Sequence, residues 1–148
     1  LPGGFPEQHA EALSANSSLR AAVAAFDGPV HAECGGLLFL VKSLDGHPMC
    51  GVLDADAQMT PSLSLGYRDA VAAADSVLCT EGMRWTGHEF HRTVVSPIHG
   101  GAPAWIWRDR AGSVVREGFA QGRVHASYLH THPVANPGAI ARFVRACG

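Results

Sequence analysis

The sequence is short of long apolar runs, of charge and of paired cysteines, and each shortage removes a class of protein. Its longest apolar stretches, such as Leu37 to Val41, fall far below the ~20 residues that span a bilayer, so no membrane segment is encoded. Lys and Arg number 11 against 13 Asp and Glu, a formal net charge of −2 over 148 residues. Without a basic field there is no counterion release to drive binding, which excludes nucleic acid as the main partner. The four cysteines (Cys34, Cys50, Cys79, Cys147) are irregularly spaced with no C-x-x-C. That spacing argues against a zinc ribbon, a redox pair or a disulfide framework and favours a reducing cytoplasm. No G-x-x-x-x-G-K-[ST] occurs, so the chain carries no ATP phosphate loop of its own. The opening Leu1-Pro2-Gly3-Gly4 has neither an initiator Met nor the charged and apolar regions of a signal peptide, and reads as cut from a longer chain.

What remains is enough for one core: 47% of residues are hydrophobic and only 16% charged, in a length near the ~150 residues of one domain. Ala10, Leu13, Leu19, Val23 and Phe26 recur at three- and four-residue steps, with Asn16-Ser17-Ser18 as an internal cap, which predicts one or two helices between Glu7 and Phe26. Asp27-Gly28-Pro29 ends them. Val30 to Glu33, then Cys34-Gly35-Gly36 and Leu37 to Val41, read as strand, tight turn and helix. Short strands are predicted at Met49 to Leu53, Leu65 to Val71, Arg84 to Thr93, Trp105 to Arg108, Val114 to Phe119 and Val124 to Tyr128. Asn136 as cap and Pro137 at the first position open a last helix through Ala139 to Arg145. Alternating helix and strand favours an α/β layer fold.

Cys34 is the most informative position. A thiol between strand and helix, with Gly35 and Gly36 behind it, has the design of a nucleophile elbow: the glycines tolerate the turn, and the helix start is expected to lower the thiol pKa and aim N–H groups at a developing oxyanion. A small buried cysteine filling a corner is the competing reading. A thiol nucleophile needs a base, and His130, where the strand-like Tyr128-Leu129 run ends, is the candidate within hydrogen-bond reach, provided the two strands are neighbours. Nine histidines is a high count, and Gly87-His88-Glu89-Phe90-His91 is the other dense cluster. Its histidines lack the H-E-x-x-H spacing, so no metal is assigned. On a strand Glu89 and His91 share one face, as ligands, substrate contacts or a polar sheet edge toward a partner domain. Arg68 could clamp a carboxylate and Tyr67 could stack, with surface packing as the alternative.

The motifs Leu-Pro-Gly-Gly at 1–4, Ala-Glu-Cys-Gly-Gly-Leu at 32–37, Leu-Gly-Tyr-Arg at 65–68, Gly-His-Glu-Phe-His at 87–91 and Tyr-Leu-His at 128–130 occur in order. Together they make the whole chain resemble the glutamine amidotransferase domains of the cobyrinic acid a,c-diamide synthase family. The resemblance implies a flavodoxin-like α/β class I amidotransferase domain of the Cys-His type, lacking its first strands. It also implies an upstream synthetase domain that binds ATP and Mg²⁺, neither of which is assigned to these residues. By resemblance Cys34 is the nucleophile toward glutamine, His130 its base, and Gly3 or Gly4 with Gly35 the oxyanion hole. Related amidotransferases place a Glu two residues after the histidine, whereas His132 stands there in this chain; Glu89 is the substitute orienting residue considered. The implied partners are glutamine, the synthetase domain and, through it, a tetrapyrrole. The alternatives are an amidotransferase acting on cobyric acid or nickel sirohydrochlorin precursors, or an inactive docking fragment whose exposed edges self-associate as a homodimer.

Overall fold

Asn16 divides the N-terminal apolar repeat into two helices, its side-chain oxygen accepting the Leu19 N–H at 3.1 Å. In the computed structural model, which describes residues 1–148, a 3₁₀ turn (Pro6–His9) leads into α1 (Ala10–Ala15) and α2 (Ser17–Ala25). Strand β1 (Val30–Glu33) and helix α3 (Gly35–Leu40) follow, then the short strands β2 (Ser43–Leu44) and β3 (His47–Pro48). Two long strands, β4 (Asp56–Ala72) and β5 (Arg84–Ser96), precede β6 (Trp105–Arg108), β7 (Val114–Glu117), β8 (Phe119–Gln121) and β9 (Val124–Ser127). Helix α4 (Pro137–Ala146) closes the chain, with Asn136 capping Ala139 N–H at 3.2 Å.

The strands form two sheets. The smaller has the order β1-β9-β8, with β1 parallel to β9 and β9 antiparallel to β8. The larger has the order β3-β2-β4-β6-β7, with β5 pairing antiparallel along β4. The α/β reading therefore holds, with the long β4–β5 ribbon making the larger sheet mostly antiparallel. Register in the parallel pair runs from Val30 opposite Val124 to Glu33 opposite Ser127. The carboxyl ends of both strands thus leave the sheet side by side, where α/β folds display reactive groups.

Two apolar clusters pack against these sheets. One gathers Ala32, Leu37, Leu38, Leu40, Leu53, Phe119, Val124, Ala126 and Tyr128 beneath α3. The other gathers Ala70, Leu78, Trp85, Trp105, Trp107, Leu129 and Ala139. Tyr128 and Leu129 point into different clusters, so the segment leading to His130 is held from both sides.

One strand expectation fails and three others change their bounds. Met49 to Leu53 is not a strand: its N–H groups serve the end of α3, Cys50 donating to Phe39 at 3.0 Å and both Val52 and Leu53 to Leu40 at 2.9 Å. The last carbonyls of a helix lack intrahelical donors, and here a following loop supplies them. The Leu65 and Arg84 segments are inner parts of longer strands whose register shifts between Met59 and Ser64. The Val114 to Phe119 segment breaks at Gly118, where φ is +82° and a Cβ would lie 2.6 Å from the Ala126 carbonyl oxygen.

His125 is fully buried in β9, its Nδ1 2.9 Å from Ser76 Oγ and its ring edge-on to Trp105 at 5.3 Å. Burial first, then the neighbouring His31, lowers its pKa from 6.5 to about 3. The unfolded chain therefore takes up this proton below pH 6.5 while the folded chain refuses it until about 3, so stability is lost as pH falls through that window. Thermal unfolding followed by circular dichroism is expected to show a steeper fall in Tm from pH 7 to 5 for the natural chain than for His125→Gln. Parallel slopes would contradict this assignment.

Candidate active site

Cys34, between β1 and α3, has φ +48° and ψ −101°, a strained conformation for a residue with a side chain. The turn is fixed from both directions, because Cys34 N–H donates to the Ser127 carbonyl at 2.8 Å and the Cys34 carbonyl accepts Leu38 N–H at 3.1 Å. Gly35 and Gly36 let the Leu1 to Gly4 loop lie directly on this first helical turn. A Cβ at Gly35 would sit 2.8 Å from Gly4 N, and one at Gly36 would sit 2.5 Å from the Leu1 carbonyl oxygen. Across the same loop, a Cβ at Gly3 would meet His130 Cε1 at 2.3 Å. Gly3, Gly4, Gly35, Cys34 and His130 are thereby brought into one neighbourhood.

The lowered thiol pKa expected from the helix start is corrected: burial pushes Cys34 up to about 11, outweighing the N–H groups of Gly35 and Gly4 that favour the thiolate, with the charges of Glu7 and Glu33 adding to the rise. Left alone, the group is a protonated thiol at neutral pH and a weak nucleophile. His130 has the complementary property: burial, assisted by His88 and His91 and opposed by Glu33, holds its pKa below the ordinary imidazole value. It is neutral at pH 7 and able to accept a proton. Its backbone exchanges hydrogen bonds with His88 at 2.8 and 3.0 Å, and the two rings stack with centroids 4.8 Å apart. The thiol and imidazole make no direct hydrogen bond; the Sγ–H instead points to the Phe90 carbonyl at 3.9 Å. Catalytic hydrogen bonds are commonly loose before substrate binds.

Glu89 does not reach His130. Burial alone would raise its pKa, but the neighbouring His91 ring and the Arg68 guanidinium hold it below the ordinary carboxylate range. Its oxygens lie 2.7 Å from Arg68 Nε and 3.5 Å from His91 Nε2. The carboxylate that Arg68 clamps is therefore the chain's own, with the guanidinium lying across Gly66, where a Cβ would be 2.7 Å away. His91 stacks on Tyr128 with centroids 3.6 Å apart. Tyr67 is 81% exposed, its ring 6.2 Å from that of His88. No group of three or more His, Cys, Asp or Glu side chains is arranged to hold a metal ion.

Two carboxyl groups that the sequence reading passed over organise the site. Glu33 accepts Thr131 N–H at 2.9 Å and Thr131 Oγ1–H at 2.6 Å, with His31 Nε2 at 3.4 Å. Burial opposes its charge, yet these donors hold its pKa at about 2. The residue before Cys34 is in this way tied to the residue after His130. Glu117 is fully buried, its Oε2 2.7 Å from Ser127 Oγ and its Oε1 accepting Tyr128 N–H at 2.8 Å. It supplies the acceptor that β8 cannot, since that strand's pairing with β9 ends at Phe119 and Ala126. An acid immediately before the elbow cysteine was a visible signal for Glu33; Glu117 carries none without the sheet.

A strand-to-helix thiol beside a neutral imidazole and a glycine loop, on an α/β scaffold, is the arrangement of a thiol-dependent amidotransferase. The chain belongs to the CobB/CobQ-like glutamine amidotransferase domain family, which it matches over residues 1–137. It is 60% identical over 150 residues to the hydrogenobyrinate a,c-diamide synthase of Streptomyces coelicolor, covering 99% of this chain and 30% of that protein. The namesake enzyme of Mycobacterium tuberculosis H37Rv is 56% identical over 147 residues, covering 97% and 32%. The cobyrinate a,c-diamide synthase of Gloeobacter violaceus is 42% identical over 156 residues, covering 99% and 33%. The chain thus spans about a third of the length of these curated relatives.

Burial raises the Glu117 pKa from 4.5 to about 8. The proton it keeps on folding contributes stability that is complete below pH 4.5 and is lost as pH rises through 8. Glu117→Gln, a neutral isostere, is expected to gain Tm relative to the natural chain between pH 6 and 9. Glu117→Ala, which strands the Tyr128 N–H, is expected to lose about 1–3 kcal/mol in urea unfolding. A Gln variant that loses ground as pH rises would reverse the sign argued here.

Proposed function

We propose that this chain is the glutamine-hydrolysing part of an ATP-dependent a,c-diamide synthase that amidates hydrogenobyrinate or cobyrinate in cobalamin biosynthesis. The observation that carries the reading is the parallel β1–β9 register, which puts Cys34 N–H on the Ser127 carbonyl at 2.8 Å and the elbow beside the strand end bearing His130. His130 takes the thiol proton as Cys34 Sγ attacks the side-chain carbonyl carbon of glutamine. The N–H groups of Gly4 and Gly35, with Gly3 beside them, hold the oxyanion. The carbon–nitrogen bond then breaks, His130 returns the proton to the leaving nitrogen, and ammonia departs. Water, deprotonated by His130, cleaves the γ-glutamyl thioester to glutamate and regenerates the thiol.

Amidation itself falls to the remainder of the protein. The chain spans about a third of its relatives' length, and ATP and Mg²⁺ are assigned to a synthetase portion in the remainder. Residues preceding Leu1 are proposed to continue the small sheet as a strand parallel to β1, because Leu1 N donates to His31 O at 2.7 Å and its carbonyl accepts Glu33 N–H at 3.0 Å. Leu65, Tyr67, Phe90 and Phe5, exposed beside the site, form the surface proposed to meet the synthetase portion. No helix is long and apolar enough to cross a membrane, and four unpaired cysteines suit a cytoplasmic setting. The greater likeness to relatives named for hydrogenobyrinate favours the metal-free substrate.

In the full-length protein, Cys34→Ser is expected to abolish amidation with glutamine while sparing amidation with ammonium salts. His130→Ala is expected to slow the glutamine reaction about 100-fold or more, and to slow alkylation of Cys34 by 6-diazo-5-oxo-norleucine, followed by peptide mass mapping. Retention of glutamine-dependent product by Cys34→Ser would refute the proposal.

A further inference from the structure

Four of the chain's eleven Lys and Arg residues converge on one cavity, although the chain carries a net charge of −2. This cavity, of about 590 Å³, lies on the larger sheet and is lined by Arg68, Arg84, Arg108, Arg110, Tyr67 and Trp107, among others. Its two acids are already engaged. Asp69 accepts the Thr86 hydroxyl at 2.6 Å, and Asp109 accepts Ala111 and Ser113 N–H at 2.9 and 2.8 Å. Arg68 is held by Glu89, and Arg108 gives one Nη to the Gly112 carbonyl at 2.8 Å. Arg84 and Arg110, which also line it, make no side-chain hydrogen bond or ion pair within the chain, which leaves both guanidinium groups unpaired.

The volume falls in the range of about 300–1,000 Å³ typical of small-molecule sites. The chemistry is that of carboxylate recognition, since an Arg fork matches a carboxylate bidentately. Val71, Ile106 and Val114 supply an apolar wall, and Tyr67 an exposed ring at the rim. Tyr67 also joins the cavity to the reactive centre, its ring 6.2 Å from His88, which in turn stacks on His130 at 4.8 Å. A ligand here would lie two rings away from the imidazole.

We propose that this cavity binds the carboxylate-bearing edge of the tetrapyrrole substrate, with Arg84 and Arg110 as its carboxylate ligands. The inference rests on the reading under Proposed function and gives the amidotransferase part a direct share in holding the acid to be amidated. A small polycarboxylate is favoured over an acidic protein surface because the arginines line a concave volume with an apolar wall.

The test uses the full-length protein and uroporphyrin, a metal-free tetrapyrrole octacarboxylate, titrated by fluorescence, with its octamethyl ester as the uncharged control. Arg84→Gln/Arg110→Gln is expected to weaken uroporphyrin binding at least tenfold and to raise the KM for the tetrapyrrole acid by a similar factor. Arg145→Gln on α4 is expected to change neither, and the ester is expected to bind weakly throughout. Unchanged uroporphyrin affinity in the double variant overturns the proposal, as does an ester that binds as tightly as the acid. A double variant that leaves uroporphyrin affinity intact but loosens the chain from the rest of the protein, seen as new proteolytic cleavage between them, assigns the arginines to a protein contact instead. Alkylation of Cys34 by 6-diazo-5-oxo-norleucine is followed in parallel. Failure of labelling in the natural protein would refute the glutaminase reading, whereas intact labelling without arginine dependence would refute this inference alone.

Discussion

The pairing of β1 with β9 is the constraint on which the site depends. Every other element of the site is hung from these two short strands: the elbow from one end, the imidazole from the neighbouring end. A parallel ladder makes this possible because both chains emerge at the same edge, which an antiparallel pair cannot offer. The ladder's last hydrogen bond, from Cys34 N–H to the Ser127 carbonyl, belongs to the elbow residue itself. Any slip in register would therefore displace the thiol along with the strand.

Short strands do not hold such a register unaided, and the chain reinforces the pair from three sides. Glu33 binds Thr131 across the top, Glu117 binds Ser127 and Tyr128 from beneath, and the Gly3-Gly4 loop fills the space between His130 and the first turn of α3. The buried acid is the costliest of these, because burial disfavours its charge. It is tolerated because β8 ends too early to satisfy the N–H of Tyr128, and leaving that donor bare would cost a comparable amount. The same argument explains the left-handed Gly118 next to it. The chain must pass from the larger sheet to the smaller at that point, against the backbone of β9.

Much of this was legible before folding, wherever a local signal and a local structure coincide. Cys34-Gly35-Gly36 after Val30 to Glu33 reads as strand, tight turn and helix, and Asn16 and Asn136 mark helix starts, all of which the backbone adopts. The alternation of Glu89 and His91 against His88 and Phe90 correctly separates the two faces of β5. Partners distant in sequence were less accessible. Glu89 was a reasonable orienting group for His130 until its pairing with Arg68 could be seen, and Glu117 looked like any polar residue at a strand end. Met49 to Leu53 misled for a related reason: an apolar segment next to Gly reads as a strand, and only the unfilled carbonyls of a six-residue helix make it a cap.

The bridge between His130 and His88 limits how the imidazole can move. Both backbone groups of His130 are tied to a strand of the other sheet, so its Cα is fixed on two sides and only the side-chain torsions remain free. Reorientation toward the thiol is then a rotamer change, an event of picoseconds to nanoseconds for accessible side chains. A base on a mobile loop would need the loop to order before each proton transfer. Here the search is confined to two angles, and its entropic cost has been met during folding rather than at each encounter with substrate.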